Sequence, residues 1–480
     1  MLFNSFHFLV FFAVVTLAFF TLPHRYRWFL LLASSCYFYM AFVPIYVLIL
    51  AFTIVIDYFA GIWLERTHGK KRRLLLVASL VSNVGVLAFF KYYNFLNDNL
   101  TALLYGAGFT NPIPYLSILL PIGLSFHTFQ AMSYTIEVYR EKQKAEHNFG
   151  IYALYVMFYP QLVAGPIERP QNLLHQFYEE HFFDYVRVTD GLKLMAWGLF
   201  KKMVIADRLA IVSDAVYNNP HAYSGPGFLV ATLAFSFQIY CDFSGYSDMA
   251  IGAARVMGFK LMKNFDRPYS AKSISEFWKR WHISLSSWFR DYLYLSLGGN
   301  RVSLSRWYFN LFFVFLVSGL WHGANWTYVI WGALHGAYLI GAILLERPRK
   351  KVEHLIGLDR RDALNNTVQC ALTCLLAGFA WIFFRANSVD DAFYIVGHLF
   401  SGFSEGLTSV APLLEKSDWI VAGISVLVME GVQYLHAKGR LHGFLVTRPL
   451  LVRWGLYYGL IAVILLFGQF ENRQFIYFQF

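Results

Sequence analysis

Long uninterrupted apolar runs constrain the fold of this chain more than any other feature. Residues 8–22 and 456–468, for example, contain no charged side chain. A helix needs about 20 mostly apolar residues to cross a hydrocarbon core that is ~30 Å thick. The strands of a transmembrane barrel would instead alternate apolar and polar residues in short segments. These continuous runs therefore predict membrane-spanning α-helices.

The composition agrees with this class of protein. Of the 480 residues, 57% are hydrophobic and 14% are charged, whereas soluble domains contain about 25% charged residues. We therefore predict an all-α polytopic membrane protein with roughly 11 to 14 membrane helices. The clearest predicted spans are residues 6–22, 28–43, 45–64, 74–91, 113–136, 150–164, 228–241, 309–322, 325–345, 367–384, 417–435 and 451–469.

The predicted organisation is a single domain over residues 1–480, because no repeat and no separate soluble region is visible in the sequence. Its core motifs lie at 163–326, with peripheral helices at 1–160 and 327–480. Within the core, charged residues interrupt the apolar sequence of 190–260. This mixture predicts helices there that are short, tilted, re-entrant or buried in protein.

The net charge of +11 comes from short basic clusters between the apolar runs. Cytoplasmic loops of membrane proteins have this pattern. The charge therefore predicts orientation and contact with lipid headgroups, and no nucleic-acid binding. The order of clusters and spans places the N-terminus outside, and the first apolar run lacks the features of a cleaved signal peptide. The basic clusters are residues 24–27, 69–73, 140–144, 347–351 and 438–440.

Two segments of the core are unusual. Residues 165–170 form a rigid, polar interruption after an apolar run, which either lines a cavity at membrane depth or simply ends a span. The segment 260–307 is basic and rich in tryptophan. Ser273 followed by Glu276 resembles a helix N-cap, which predicts an amphipathic helix as far as Phe289. Its aromatic residues would lie at the membrane interface, or the helix could enter the protein interior.

His322 is the first candidate for chemistry, because it lies in a stretch that should be buried in the membrane. Ionisable groups in such positions are costly and are functional candidates. Gly319 and Gly323 permit close backbone approach beside it, and a neutral imidazole can take a proton from a hydroxyl. Alternatively, His322 holds helices together by a hydrogen bond, and His335 could be the structural residue of the pair.

His282 is the second candidate, forty residues before His322. It is either an interface residue near lipid headgroups or a second polar group that orients the substrate. Asp242 and Asp248 could orient an imidazole or balance Arg255, or they could have a structural role in a turn or a buried pair.

Several familiar signatures are absent from the sequence. It contains no phosphate-binding loop, no serine-hydrolase elbow and no zinc-protease motif. The four cysteines lack the spacing of a zinc site, so we predict no metal. Because no nucleophile is evident, direct transfer with histidine as general base is favoured over a covalent intermediate.

Taken together, five segments resemble the membrane-bound O-acyltransferase family. The likeness is greatest to its bacterial branch, which acetylates alginate and transfers D-alanine to teichoic acids. The segments are residues 163–170, 238–248, 264–269, 277–294 and 318–326, and they follow the order of the family.

The resemblance implies a ring of helices around a central funnel, with His322 as the catalytic histidine and His282 as the second polar residue of the reaction. Neighbouring residues of the same motifs become candidates for the substrate channel. These candidates are Asp242, Asp248, Trp278, Arg280, Trp281, Trp321 and Asn325.

The resemblance also implies the reaction. An acyl group, expected to be acetyl, moves from a cytoplasmic thioester such as acetyl-CoA across the bacterial inner membrane, without a tightly bound cofactor. The acceptor is an extracytoplasmic polysaccharide such as alginate, and a periplasmic or surface acetyltransferase is the expected partner. The alternatives are transfer of D-alanine or another acyl group to a cell-wall polymer, or a transporter or scaffold without acyl chemistry.

Overall fold

The computed structural model describes residues 1–117, 121–402, 406–440, 443–444, 447–471 and 473–476, and these residues contain no β-strand. Short 3-10 helices and two π-helices join or extend the α-helices. The α-helices are α1 Phe6–Thr21, α2 His24–Met40, α3 Val47–Arg66, α4 Gly69–Gly106, α5 Leu124–Tyr139, α6 Phe149–Met157, α7 Pro170–Leu173, α8 Tyr185–Leu199, α9 Asp207–Asn218, α10 Gly225–Met257, α11 Ile274–Arg280, α12 Ile283–Trp288, α13 Leu304–His322, α14 Trp326–Leu344, α15 Glu346–Leu355, α16 Asp362–Arg385, α17 Val389–His398, α18 Gly406–Val410, α19 Lys416–Ala437 and α20 Leu450–Phe467.

The prediction of an all-α polytopic membrane protein is confirmed. Eight helices in the described part of the chain are long and apolar enough to cross a membrane, fewer than the number predicted. Part of the difference lies in shorter apolar helices such as α1, which has 16 residues. The spanning helices are α3, α4, α10, α13, α14, α16, α19 and α20.

Three predicted spans have different limits in the structure. The helix predicted at 74–91 is the longer α4, with 38 residues. The span predicted at 113–136 begins as a helix only at Leu124, and its residues 118–120 lie outside the described part. The span predicted at 150–164 ends at Met157, because Pro160 cannot donate a backbone hydrogen bond and disfavours helix in the residue before it.

The mixed region 190–260 was predicted partly correctly. The helix α10 is largely buried in protein, as expected, since 78% of its most apolar 18-residue stretch is buried. It is nevertheless a continuous helix of 33 residues, so the prediction of short helices is wrong for this part. Asp242 does not interrupt α10, because Lys202 compensates its charge within the protein.

Two compact units are distinguished within the chain. The first contains Met1–Met195 and Tyr246–Met262, and the second contains Ala196–Gly245 and Lys263–Ile476. In the first unit, α3, α4 and α5 pack against one another. The Asp57 carboxylate is buried among them and accepts hydrogen bonds from Ser79 Oγ at 2.6 Å and from the Asn83 amide at 2.8 Å.

In the second unit, α13 and α14 pack closely against each other. A methyl group on Gly319 would lie 2.3 Å from the backbone oxygen of Tyr328, and one on Gly332 would lie 2.4 Å from that of Phe315. Small residues at such contacts let the backbones of membrane helices approach closely. This close approach positions His322, the last residue of α13.

Candidate active site

His282 lies at a break between two short helices. Ser273 Oγ accepts a hydrogen bond from Glu276 N, which confirms the predicted N-cap of α11. The predicted single helix as far as Phe289 is wrong, because α11 ends at Arg280 and His282 adopts a left-handed conformation with φ 44° and ψ 55°. Asn264 holds the start of α12, since its backbone oxygen accepts from Ile283 N at 2.9 Å. A helix start needs such partners for its first N–H groups.

Three of the four tryptophans in the segment 260–307 face the protein interior. Trp278 and Trp288 are each 7% exposed and Trp281 is 1% exposed, so the prediction of a membrane-interface position is wrong and the alternative of an interior position is confirmed. The Trp281 ring stacks on Phe277 at 5.5 Å and contacts Trp381 at 5.0 Å. Aromatic contacts of this kind favour burial.

His322 is 4% exposed and is surrounded by aromatic rings. Its imidazole lies 4.8 Å from the Trp321 ring, 4.9 Å from the Trp331 ring and 5.4 Å from the Phe384 ring, measured between centroids. The predicted close backbone approach is confirmed at Gly319, where a methyl group would lie 2.3 Å from the backbone oxygen of Tyr328. At Gly323 the close neighbour is the Tyr328 ring, 2.0 Å from such a methyl group.

His282 is fully buried and shares a neighbour with His322. Its ring lies 4.6 Å from the Phe243 ring and 6.2 Å from the Trp321 ring. Both imidazoles therefore contact the Trp321 indole. Burial lowers the pKa of the His282 imidazole well below its ordinary value, so the ring is neutral near pH 7.

His335 was predicted as a structural residue, and the structure gives it a defined partner. The indole N–H of Trp278 donates to His335 Nδ1 at 3.2 Å. Because an indole nitrogen can only donate, Nδ1 must be the acceptor and the neutral ring carries its hydrogen on Nε2. The His335 ring also lies 5.0 Å from the Trp331 ring, which in turn contacts His322.

The two candidate aspartates have different surroundings. Asp242 is buried and pairs with Lys202 at 2.5 Å, and it accepts a hydrogen bond from the backbone N–H of Ile476 at 2.7 Å. Its counter-ion is thus Lys202 and not Arg255, which supports the structural alternative. Asp248 is half-buried in the part of α10 that belongs to the first unit, whereas both histidines belong to the second.

Arg280 and Asn325 also make contacts that stabilise local structure. Arg280 pairs with Glu276 at 2.6 Å, one turn earlier on α11. Asn325 caps α14 by accepting from Thr327 N at 3.0 Å, and it donates to the backbone oxygen of Asn387. A role for either residue in a substrate channel stays a prediction.

Three residues that complete the aromatic surroundings were not among the predicted site residues. Trp331 comes from α14, and Trp381 and Phe384 come from α16. No local signal could have identified them, because an aromatic residue in an apolar span has the same sequence pattern whether it faces lipid or protein. Among the residues with described positions, no group of three or more His, Cys, Asp or Glu side chains could hold a metal ion.

Comparison with known proteins identifies the family of the chain. The model of the MBOAT, membrane-bound O-acyltransferase family, matches residues 90–355, which include both histidines. The chain is 41% identical over 407 residues to the "Probable alginate O-acetylase AlgI" of Pseudomonas aeruginosa, covering 84% of this chain and 75% of the relative.

Two further relatives extend the comparison. A "Peptidoglycan O-acetyltransferase" of Helicobacter pylori is 35% identical over 393 residues, covering 76% of this chain and 72% of that protein. A "Teichoic acid D-alanyltransferase" of Streptococcus thermophilus is 29% identical over 309 residues, covering 61% and 70%.

The fold and the comparisons define the class: this is a multi-pass membrane enzyme that transfers acyl groups. The chain belongs to the membrane-bound O-acyltransferase family, and its relatives include alginate and peptidoglycan O-acetylating proteins. The resemblance found in the sequence is confirmed. Membership of an enzyme family also removes the alternative of a transporter or scaffold without acyl chemistry.

Proposed function

We propose that this protein O-acetylates an extracytoplasmic polysaccharide such as alginate, with His322 as the catalytic base or acyl-handling residue and His282 assisting. The observation that carries the proposal is the burial of two imidazoles against one indole, that of Trp321. A buried neutral imidazole is suited to accept a proton from a hydroxyl near pH 7.

The proposed chemistry uses one proton transfer in each direction. His322 accepts the proton of the acceptor hydroxyl, and the hydroxyl oxygen attacks the carbonyl carbon of an acetyl thioester such as acetyl-CoA. The new C–O bond forms and the C–S bond breaks. The imidazolium then returns the proton to the leaving thiolate, which regenerates neutral His322. His282 orients or polarises the reacting groups.

The relatives favour acetyl as the acyl group. The two acetylating relatives are 41% and 35% identical to this chain, and the D-alanyl transfer protein is 29% identical over a shorter stretch. Their names also favour a polysaccharide or another cell-surface polymer as acceptor. The acceptor hydroxyl belongs either to the glycan or to a periplasmic or surface acetyltransferase that passes the acetyl group on.

The proposed location is the bacterial inner membrane, with the N-terminus outside and the thioester donor on the cytoplasmic side. The basic clusters carry this proposal. Residues 69–73 form the start of α4 and are mostly exposed, and the basic helix α15 has no buried residue. Under the positive-inside rule these segments face the cytoplasm.

The test is the acetyl content of surface glycan in a deletion strain that carries wild-type protein, His322→Ala or His282→Ala at matched membrane abundance. We expect wild type to restore acetylation and His322→Ala to abolish it. His282→Ala should lower it by about 100- to 1000-fold, the range for loss of an assisting polar group.

A surface histidine supplies the matched control. His354 is exposed on α15 and pairs with Asp359, so His354→Ala should restore acetylation like wild type. If His322→Ala restores acetylation, the imidazole is structural and the proposed mechanism is wrong.

A further inference from the structure

The first unit contains a small cavity between α5 and the segment that follows α6. Residues 165–167 contribute to its lining, so this part of the segment 165–170 lines a cavity, while its position in the membrane stays a prediction. Most of the lining is apolar, but His127, Gln130 and Gln161 also line it. Each of these polar side chains is at most 4% exposed. The cavity has room for a molecule of the size of water.

The hydrogen bonds of His127 determine which of its ring nitrogens carries the hydrogen. Its Nε2 lies 2.5 Å from Thr53 Oγ1, and this hydroxyl donates its single hydrogen to the backbone oxygen of Leu50 at 2.9 Å. We assign the hydroxyl hydrogen to the bond with Leu50, so Thr53 accepts from His127 and the His127 hydrogen lies on Nε2. A buried imidazole without a carboxylate partner is neutral, so Nδ1 is an acceptor. It has no hydrogen-bond partner among the described residues.

Gln161 presents a second acceptor. Its amide nitrogen donates to the backbone oxygen of Tyr155 at 2.9 Å, which fixes the orientation of the amide because a carbonyl can only accept. The other end of the side chain, Oε1, is therefore an acceptor. It too is buried, and no partner for it exists in the described part of the chain.

Two buried acceptors without donors thus belong to side chains that line one cavity. Leaving such groups unsatisfied is costly, and ordered water commonly bridges them. We propose that this cavity binds a small molecule with two hydrogen-bond donors, and that in the resting protein this molecule is water. In this proposal, one water donates its two hydrogens to His127 Nδ1 and to Gln161 Oε1.

The bound water would join α5 to the segment that carries Gln161. The described residues of this segment contain no helix between α6 and α7, and buried irregular backbone requires polar partners. The inference concerns the first unit only and does not depend on the proposed role of the histidines.

The test combines a high-resolution map of the full-length protein with radiolytic footprinting in 18O-labelled water. We expect a water peak within hydrogen-bonding distance of His127 Nδ1 and Gln161 Oε1. We also expect rapid 18O labelling of Leu162 or Ile167, although both side chains are buried, because bound water is the source of the hydroxyl radicals.

Gln161→Met keeps the side-chain volume and removes the acceptor, so the peak and the labelling should be lost. Thr128→Val is the matched control, because Thr128 is buried next to His127 and its hydroxyl donates to Leu124 O of its own helix, its one hydrogen bond within the described part of the chain. It should keep both signals. Absence of the peak from a wild-type map that shows other buried waters would overturn the proposal, as would density too large for water.

Discussion

The bond between Trp278 and His335 is the best-defined polar contact beside the candidate active site. Removing one partner leaves the other buried and unsatisfied. We expect His335→Leu and Trp278→Phe each to lower the free energy of unfolding by about 1–3 kcal/mol. Because they share one bond, the double variant should be less destabilised than the sum, with a coupling of about 0.5–1.5 kcal/mol. Unfolding in detergent measures all four proteins.

His335→Asn is the conservative control, because its side-chain oxygen can take the place of Nδ1 as acceptor. It should be more stable than His335→Leu. Additive effects of the two single substitutions would show that the bond between Trp278 and His335 does not contribute to stability.

Glu168 predicts a pH dependence of stability. Burial raises the pKa of its carboxyl from 4.5 to about 7, against hydrogen bonds such as that from Met262 N. Since the folded pKa exceeds the unfolded one, the folded state binds more protons between these values. The free energy of unfolding should therefore fall as the pH rises from about 4.5 to 7, by up to about 3 kcal/mol, and then level off as regards this group.

Glu168→Gln removes the titrating group and should flatten this part of the profile. Unfolding of the wild type and of Glu168→Gln at pH 5 and at pH 8 is the measurement. Equal losses in the two proteins would mean that other groups cause the pH dependence.

The helix pair α13–α14 depends on the absence of a side chain at Gly319. A methyl group there would meet the backbone of Tyr328 at 2.3 Å, so the two helices would have to separate. We expect Gly319→Ala to lower the free energy of unfolding by about 1–3 kcal/mol and to lower activity, because α13 carries His322.

Gly341 on α14 provides the control, since a methyl group there has no neighbouring atom within 4 Å. Gly341→Ala should be neutral or stabilising by about 0.5–1 kcal/mol. Equal effects of the two alanine substitutions in thermal unfolding would contradict the close-packing argument.

A buried charge cluster links distant parts of the second unit. Lys202 pairs with Asp207 at 2.8 Å and with Asp242 at 2.5 Å, and all three side chains are at most 4% exposed. Asp242 also accepts a hydrogen bond from the backbone N–H of Ile476. Lys202→Met would leave two buried carboxylates without their cation, and we expect a loss of about 3–5 kcal/mol.

Lys193→Met tests an exposed ion pair for comparison. Lys193 and Asp190 are 40% and 51% exposed, so this substitution should change the free energy of unfolding by at most about 1 kcal/mol. Expression level and thermal unfolding in detergent compare the two variants. A Lys202→Met protein as stable as the control would show that the cluster does not hold the second unit together.

The sequence alone determined the class of protein and singled out His322 as the first candidate residue for chemistry. Spanning helices can be predicted from the length of the apolar runs, because each run by itself must be long enough to cross the lipid. His322 stands out because an ionisable residue within such a run is visible locally. The N-cap at Ser273 is likewise a contact within one turn, and the ordered motifs carried the family resemblance.

Only the tertiary structure decided how these residues meet. The left-handed turn at His282 depends on Asn264. The burial of Trp278 and Trp281 depends on rings that α14 and α16 contribute. The counter-ion of Asp242 lies forty residues earlier in the chain. Such contacts join residues that are far apart in the sequence. A local pattern of apolar and polar residues does not show which distant side chain will be the neighbour.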